Sequence, residues 1–268
     1  MTPLLVPQRL QLEVTRRCNS RCLHCAHDPS WRGDMPLSMV ARILDELPTV
    51  RDVHPYKFGE PLLHPRFLDI VRMLKDRGRR VALYTNGSLL SGALRDGLAE
   101  MLDEDDMLSF SVEGSDRQTY EHLRRGLSWD VLIENVDAWQ AVKRAKSEAR
   151  LTAVRESDAQ RDLAFWSGRV DQAWAVPEEP FGRPVRGHFD IRFDSRTCHE
   201  TNEDMAVLYN GDVVMCCGDC WGKFPVGNVR DGALAAWNSP AMTRCRSEAQ
   251  EICSHCLAQW VNEEASPP

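Results

Sequence analysis

The chain reads as an α/β fold, a partial barrel of six β/α units followed by a small cysteine-rich segment built on a β-hairpin. Three observations predict this. Short apolar runs alternate with helical periodicities along the first two-thirds of the chain, and crossovers of that length force parallel strands with right-handed connections. The ten cysteines fall into two groups, three up to Cys25 and seven from Cys198 onward, which marks a compositional boundary. AVLYNGDVVMC, residues 206–216, alternates apolar and polar residues around Asn-Gly, the strongest short-range hairpin signal. The boundary is placed between 1–190 and 191–268. A closed eight-stranded barrel needs about 250 residues by itself, so the six-stranded barrel is expected to be open.

Taken in order, LQLEVT at 10–15 is the first strand and carries a cysteine loop at its C-terminal end. Ser38 is expected to cap a helix through Leu47, with Met39, Ile43, Leu44 and Leu47 on one face and Pro48 as its stop. DVHPYKF at 52–58 is a second strand interrupted by Pro55, followed by GEPLLHP and a helix from Pro65 to Gly78. RRVALYT at 79–85 is the third strand, ended by Asn86-Gly87, and MLSFSVEG at 107–114 is the fourth, with a helix over 89–102 between them. Helices are expected at 116–125 and 130–148, a fifth strand at LTAVRES 151–157, a helix over DAQRDLAFWSGRV and a sixth strand at QAWAV 172–176. In such a sheet ligands bind at the carboxyl ends of the strands, where the unusual residues fall.

The chemistry-bearing stretch is CNSRCLHC, with Cys18, Cys22 and Cys25 spaced by three residues and then two. Three thiolates so close can wrap one face of a four-iron four-sulfur cluster and leave one iron open to a small molecule. A structural zinc is the competing occupant, with His24 or His27 as the fourth ligand, although zinc sites favour paired C-x2-C spacing.

The motif resembles that of radical S-adenosylmethionine (SAM) enzymes. Further matches follow in family order: GEP at Gly59, Glu60 and Pro61, TNG at Thr85, Asn86 and Gly87, SVEG with Ser111 and Glu113, and Arg124 in YEHLRRG. The resemblance implies that Cys18, Cys22 and Cys25 hold the SAM-binding cluster and that His24 packs near the adenine. It implies that Gly59 and Glu60 receive the SAM ammonium, that the Thr85-Asn86 turn borders the site, that Ser111 and Glu113 contact ribose hydroxyls, and that Arg124 holds the SAM carboxylate. The pairings suit the groups: carboxylate to ammonium, guanidinium fork to carboxylate, short polar groups to a diol.

GDVVMC after Cys198, GNV at 227–229, AWNS at 236–239 and ICSHC resemble the cysteine-rich extension called SPASM, or twitch in its shortened form. Full extensions hold two auxiliary clusters and carry a further cysteine beyond the final pair. None follows Cys256 here, so the resemblance implies one auxiliary [4Fe-4S] cluster on Cys198, Cys216, Cys253 and Cys256, beside the SAM-binding one. Cys217, Cys220 and Cys245 stay open as rival ligands or free thiols, and zinc at the C-x2-C pair remains the structural alternative.

Composition bounds the partners. A net charge of −7 argues against a nucleic-acid backbone as main partner. No run of about 18 apolar residues is present to cross a bilayer, and MTPLLVPQRL lacks a secretory signal pattern, so a cytoplasmic location is expected. The family likeness implies a radical SAM oxidoreductase that abstracts hydrogen from a small polar substrate, a sugar or amino-cyclitol, with flavodoxin or ferredoxin as reducing partner. The architecture resembles the butirosin-pathway 2-deoxy-scyllo-inosamine dehydrogenase type, in which a secondary alcohol is oxidised and an auxiliary cluster accepts the electron. An epimerase using Cys217, Cys220 or Cys245 as hydrogen donor is the alternative. A peptide maturase ranks lower, because no N-terminal segment resembles a leader-binding domain. A cluster protein without catalysis is the reading from outside enzymology. Lys57, Arg155, Glu156, Arg192 and Asp194 are the charged candidates for the substrate face, with Arg155 assigned to the hydroxyl proton.

Overall fold

The structure is a computed structural model that describes residues 4–151, 156–175, 198–250 and 252–253, with the backbone alone at 156–158. Its strands in chain order are β1 (Arg9–Leu12), β2 (Arg21–Cys22), β3 (Asp52–His54), β4 (Arg80–Thr85), β5 (Met107–Val112), β6 (Arg124–Arg125), β7 (Lys146–Leu151), β8 (Gln172–Ala175), β9 (Asp204–Val207), β10 (Asp212–Val214) and β11 (Pro225–Asn228). The helices are α1 (Leu37–Glu46), α2 (Phe67–Asp76), α3 (Gly92–Met101), α4 (Arg117–Leu123), α5 (Trp129–Val142), α6 (Glu156–Ser167), α7 (His199–Asn202), α8 (Ala233–Trp237) and α9 (Pro240–Ser247).

Six strands, β1, β3, β4, β5, β7 and β8, lie side by side in chain order and pair in parallel. This is the predicted partial barrel. Its face toward the helices is apolar: Val81 and Leu83 on β4, Leu108 and Phe110 on β5, and Ala149 and Leu151 on β7 join Phe67, Ile70, Val71 and Leu74 of α2 and Leu132, Val136 and Trp139 of α5 in one core. The other face carries half-buried polar and aromatic residues, among them His54, Tyr84, Ser111, Glu148 and Arg150. Period-two alternation sorts the two sets.

The hairpin forms as predicted, β9 pairing antiparallel with β10 and β10 with β11. Its placement is new. β9 pairs in parallel with β1, Arg9 opposite Asp204 and Leu12 opposite Val207, so the cysteine-rich segment extends the barrel's own sheet beyond its first strand.

Three local expectations are corrected. α1 starts at Leu37 behind Pro36, with no side-chain cap, and Ser38 lies inside its first turn. α2 begins at Phe67 rather than at Pro65. The fifth parallel strand is Lys146–Leu151, not 151–157, and residue 156 opens a helix. Lys, Glu, Ala and Arg favour helix by propensity, but tertiary pairing overrides it: Lys143 is extended, ending α5, and Lys146 N–H donates to the Asp106 carbonyl (3.0 Å) while Ser147 N–H donates to the Asp171 carboxylate (2.8 Å).

Candidate functional site

The cysteine loop is tied down at both ends. The Arg17 guanidinium grips both carboxylate oxygens of Asp34 at 3.0 Å and donates to the Leu63 carbonyl at 2.5 Å. The Arg17 carbonyl accepts from Glu60 N–H at 2.8 Å. Gly59 sits so close that a Cβ there would lie 2.1 Å from the Thr15 carbonyl oxygen and 2.9 Å from that of Arg17. Further along, the two-residue ladder of β2 with β6 sets Cys22 opposite Arg124.

Around the sulfurs, Ser20 N–H donates to Cys18 Sγ and His27 N–H to Cys25 Sγ, both at 3.4 Å, and Ser20 Oγ lies 3.0 Å from Cys22 Sγ. Arg124 Nη1 reaches Cys22 Sγ at 3.8 Å. Such donors are what cluster-bound thiolates collect. Burial, then the nearby Glu60, pushes the Cys18 thiol up to about 12, so a bound cation must displace its proton. The histidines are engaged elsewhere: His27 Nε2 lies 2.7 Å from the Arg16 carbonyl and His24 Nε2 lies 3.3 Å from Glu113 Oε1. That commits one nitrogen of each ring to a protein partner. The three-sulfur donor set fits a four-iron cluster with one open iron.

Residues scattered over a hundred positions meet here. Glu113, fully buried, accepts from Arg124 Nη2 at 2.9 Å with His24 alongside. Glu60, also buried, accepts from Leu62 N–H (3.1 Å), Thr85 Oγ1 (2.7 Å) and Asn86 N–H (2.7 Å). Its carboxylate thus joins the end of β3 to the turn after β4. Burial raises the Glu60 pKa, and the three donors work against that rise. Asn86 Nδ2 continues to Asn19 Oδ1 at 2.8 Å, inside the cysteine loop. Ser111 lies half-buried near the end of β5, on the same face as Glu113 by strand alternation. Arg155 lies outside the described residues, as do Arg192 and Asp194; Glu156 heads α6 rather than ending a strand.

The second group of sulfurs is buried at the hairpin end. Cys198, Cys216, Cys245 and Cys253 are each less than a tenth exposed and Cys220 is fully buried. Burial raises the Cys253 thiol, and Cys198 and Cys245 add to the rise as electrostatic neighbours. A Cβ at Gly218 would lie 3.7 Å from Cys216 Sγ and 3.9 Å from Ile252 Cδ1, so Gly218 sits between the Cys216 sulfur and the side chain that precedes Cys253. Cys198 and Cys253 are thus electrostatic neighbours near the hairpin, and Cys256 lies outside the described residues. This donor set fits a second iron-sulfur cluster.

A family model described as the radical SAM superfamily matches residues 12–165, more than half of the chain. The chain belongs to the radical SAM superfamily. SAM and a four-iron cluster are that superfamily's cofactors, and the iron-sulfur cluster-binding SPASM model matching residues 198–257 adds auxiliary cluster binding. A tungsten-containing aldehyde ferredoxin oxidoreductase cofactor-modifying protein of Pyrococcus furiosus is 38% identical over 109 residues, 39% of this chain and 30% of that protein. An S-adenosylmethionine-dependent nucleotide dehydratase of Selenomonas ruminantium is 28% identical over 175 residues, 62% of this chain and 63% of that protein. The aligned part thus spans less than two thirds of either relative. Among solved structures, Streptococcus suis SuiB bound to its precursor peptide SuiA superposes with a TM-score of 0.76 at 15% identity, covering 97% of this chain and 74% of that one. BtrN in complex with AdoMet and 2-DOIA gives 0.61 at 16% identity, covering 96% and 94%. At these identities the likeness is one of fold. No helix among the described residues is long and apolar enough to cross a membrane.

Sequence reasoning missed Arg16, Tyr56, Tyr84 and Arg150 of this radical SAM chain. The Tyr56 and Tyr84 rings lie 4.4 Å apart and the Arg150 guanidinium 5.6 Å over Tyr84, all on the polar side of the sheet. The alternation of KSEARL carried the signal for Arg150 once the strand was placed correctly.

Proposed function

We propose that this radical SAM enzyme oxidises a secondary alcohol of a small polar substrate, a sugar or amino-cyclitol, with one auxiliary [4Fe-4S] cluster on Cys198, Cys216, Cys253 and Cys256. When bound, SAM and the clusters supply a 5′-deoxyadenosyl radical that removes one hydrogen atom and an acceptor for the electron left on the substrate. The chain's own residues bind and orient. Cys18, Cys22 and Cys25 hold the SAM-binding cluster. Arg124 holds the SAM carboxylate, Glu113 and Ser111 the ribose, Gly59 and Glu60 the ammonium side, with Thr85 and Asn86 fixed behind them and His24 beside the adenine. Tyr56, Tyr84 and Arg150 line the polar face where a hydroxylated substrate is received, and Arg155, which follows β7 in the sequence, assists loss of the hydroxyl proton.

One observation supports this reading most. Because β9 continues the sheet from β1, the Cys216–Cys220 loop rests on Lys57 just past β3, next to Tyr56, which supports an electron acceptor held by Cys216 near the proposed substrate face. A flavodoxin- or ferredoxin-type donor completes the reducing side. The fold of BtrN is matched over 94% of that chain, which supports a dehydrogenase-type architecture.

A specific observation keeps an epimerase in second place: Cys217, half-buried at that same loop, could return a hydrogen atom, with Cys220 and Cys245 deeper in the fold. The isotope experiment separates the two. Oxidation consumes one SAM per turnover, gives a product about two mass units lighter and puts no solvent deuterium on the reacting carbon. A product of unchanged mass carrying one deuteron from deuterium oxide would overturn the dehydrogenase reading.

A further inference from the structure

We infer that Arg16 and Lys57 are positioning residues that lock the auxiliary-cysteine loop onto the SAM-cluster loop, and that Lys57 holds a positive charge against it, making that loop a better place to receive an electron. The inference rests on the reading that the Cys216 loop carries an auxiliary cluster.

Residues 216–220, CCGDC, make a tight turn in which Cys220 N–H donates to the Gly218 carbonyl at 2.9 Å. Three carbonyls of this turn accept from cations outside it. Lys57 Nζ donates to those of Cys217 (2.7 Å) and Asp219 (3.0 Å), and Arg16 Nη2 donates to that of Cys220 (2.8 Å). Both cations come from the barrel, Arg16 from the chain leading into Cys18 and Lys57 from the segment after β3. The other side of the turn is closed by Asp219, whose buried carboxylate accepts from the N–H groups of Lys223 (2.9 Å) and Phe224 (2.8 Å).

Arg16 is itself built in. Its guanidinium lies 4.0 Å over Trp31 and 5.6 Å from the Tyr209 ring centre, and its Nε meets the fully buried Glu13 at 3.2 Å. Glu13 also accepts Tyr209 N–H of the hairpin turn at 3.2 Å. The Arg16 carbonyl faces His27 Nε2 at 2.7 Å, and His27 N–H donates to Cys25 Sγ at 3.4 Å. A continuous run of hydrogen bonds and chain therefore links Cys25 of the first cysteine set to Cys220 of the second. A planar, stacked, forked cation suits such a joint better than a lysine does. Lys57 needs only a point charge for two carbonyls, and it lies 4.7 Å over the Phe58 ring.

Two readouts test this on the anaerobically reconstituted protein. Removing one unit charge at roughly 12 Å, at an effective dielectric of about 20, shifts an electron-addition equilibrium by about tenfold, or about 59 mV for one electron. Lys57→Met should make the auxiliary cluster that much harder to reduce in a titration followed by electron paramagnetic resonance. The SAM-binding cluster should move less, and Lys57→Arg should restore the value. Amide hydrogen exchange of residues 216–220 should speed up by about tenfold in Lys57→Met and in Arg16→Met. Unchanged exchange in both variants overturns the lock, and an unchanged auxiliary potential in Lys57→Met overturns the charge effect. If the protein takes up only about four irons, the auxiliary-cluster reading and the charge effect fail together, while the exchange comparison still decides the lock.

Discussion

Arg124 and Glu113 form a buried ion pair at 2.9 Å whose arginine also reaches Cys22 Sγ at 3.8 Å. Burial works against the Arg124 charge, but Cys22 and Glu113 outweigh it, and the net direction is toward tighter proton binding. The guanidinium is thus shared between a cluster ligand and the residue assigned to the ribose, and its two-residue ladder fixes the distance between them.

Breaking this pair from one side leaves a buried charge without a partner, a loss of about 3–5 kcal/mol, whereas removing both charges costs much less. Glu113→Ala is expected to lower stability by about that amount, and Glu113→Ala/Arg124→Met by less than the single change. Arg124→Ala should in addition weaken SAM binding by roughly ten- to a hundredfold. Denaturant titration with SAM-binding isotherms checks this; additive single and double effects would mean that the pair is not coupled.

Gly59 and Gly78 make a matched pair of substitutions. A methyl at Gly59 runs into backbone oxygens at 2.1 and 2.9 Å, which cannot swing away as a side-chain end could. Gly59→Ala is expected to push the cysteine loop off the end of β3, costing about 1–3 kcal/mol and reducing iron uptake at the first site. Gly78 has φ +66° with open space around its Cβ position, so Gly78→Ala should cost only about 1 kcal/mol, from left-handed backbone alone, and leave iron unchanged. Equal iron loss in both variants would refute the contact argument.

The sequence carried the barrel because each β/α unit announces itself locally and family motifs come in the order in which parallel strands line up. That is why His24, Glu60, Glu113 and Arg124 could be named before they were seen to meet. Two things lacked a local signal. The boundary of β7 was hidden because Lys146, Glu148, Ala149 and Arg150 are good helix formers, and only pairing with β5 makes them a strand. The pairing of β9 with β1 joins residues almost two hundred positions apart, and no spacing rule reaches that far. Arg16 and Lys57 were invisible as a pair for the same reason: their partners are backbone carbonyls, which carry no sequence signature.

Asp204 gives a pH test at that same β1–β9 seam. Burial raises its pKa from an ordinary 3.8 to about 6, with Glu200 and Glu203 adding to the rise and Arg9, 2.6 Å away, opposing it. A carboxyl that binds its proton more tightly when folded contributes most below the unfolded value and loses that contribution as pH rises through the folded one. Stability of the cluster-free protein is therefore expected to fall between about pH 4 and pH 6 and to level off above, with Asp204→Asn removing that fall. Urea titrations of both proteins across the window check it, and identical pH slopes would sink the assignment.

Metal content decides the cysteine roles most directly. Two four-iron clusters predict about eight irons per chain after anaerobic reconstitution. Replacing Cys18, Cys22 and Cys25 together should leave about four and abolish SAM cleavage, because the first site then loses every protein donor. Cys253→Ala should also leave about four but keep SAM cleavage, since only the hairpin site is touched. Cys245 is the informative comparison: it lies near Cys253 as an electrostatic neighbour, yet it stands on α9, eight positions before Cys253 and apart from the C-x2-C pair. Cys245→Ala is expected to keep all eight irons if Cys256 is the fourth ligand. Loss of the auxiliary cluster in Cys245→Ala but not in Cys256→Ala would exchange their roles, and zinc in place of the second set of irons would overturn the auxiliary cluster altogether.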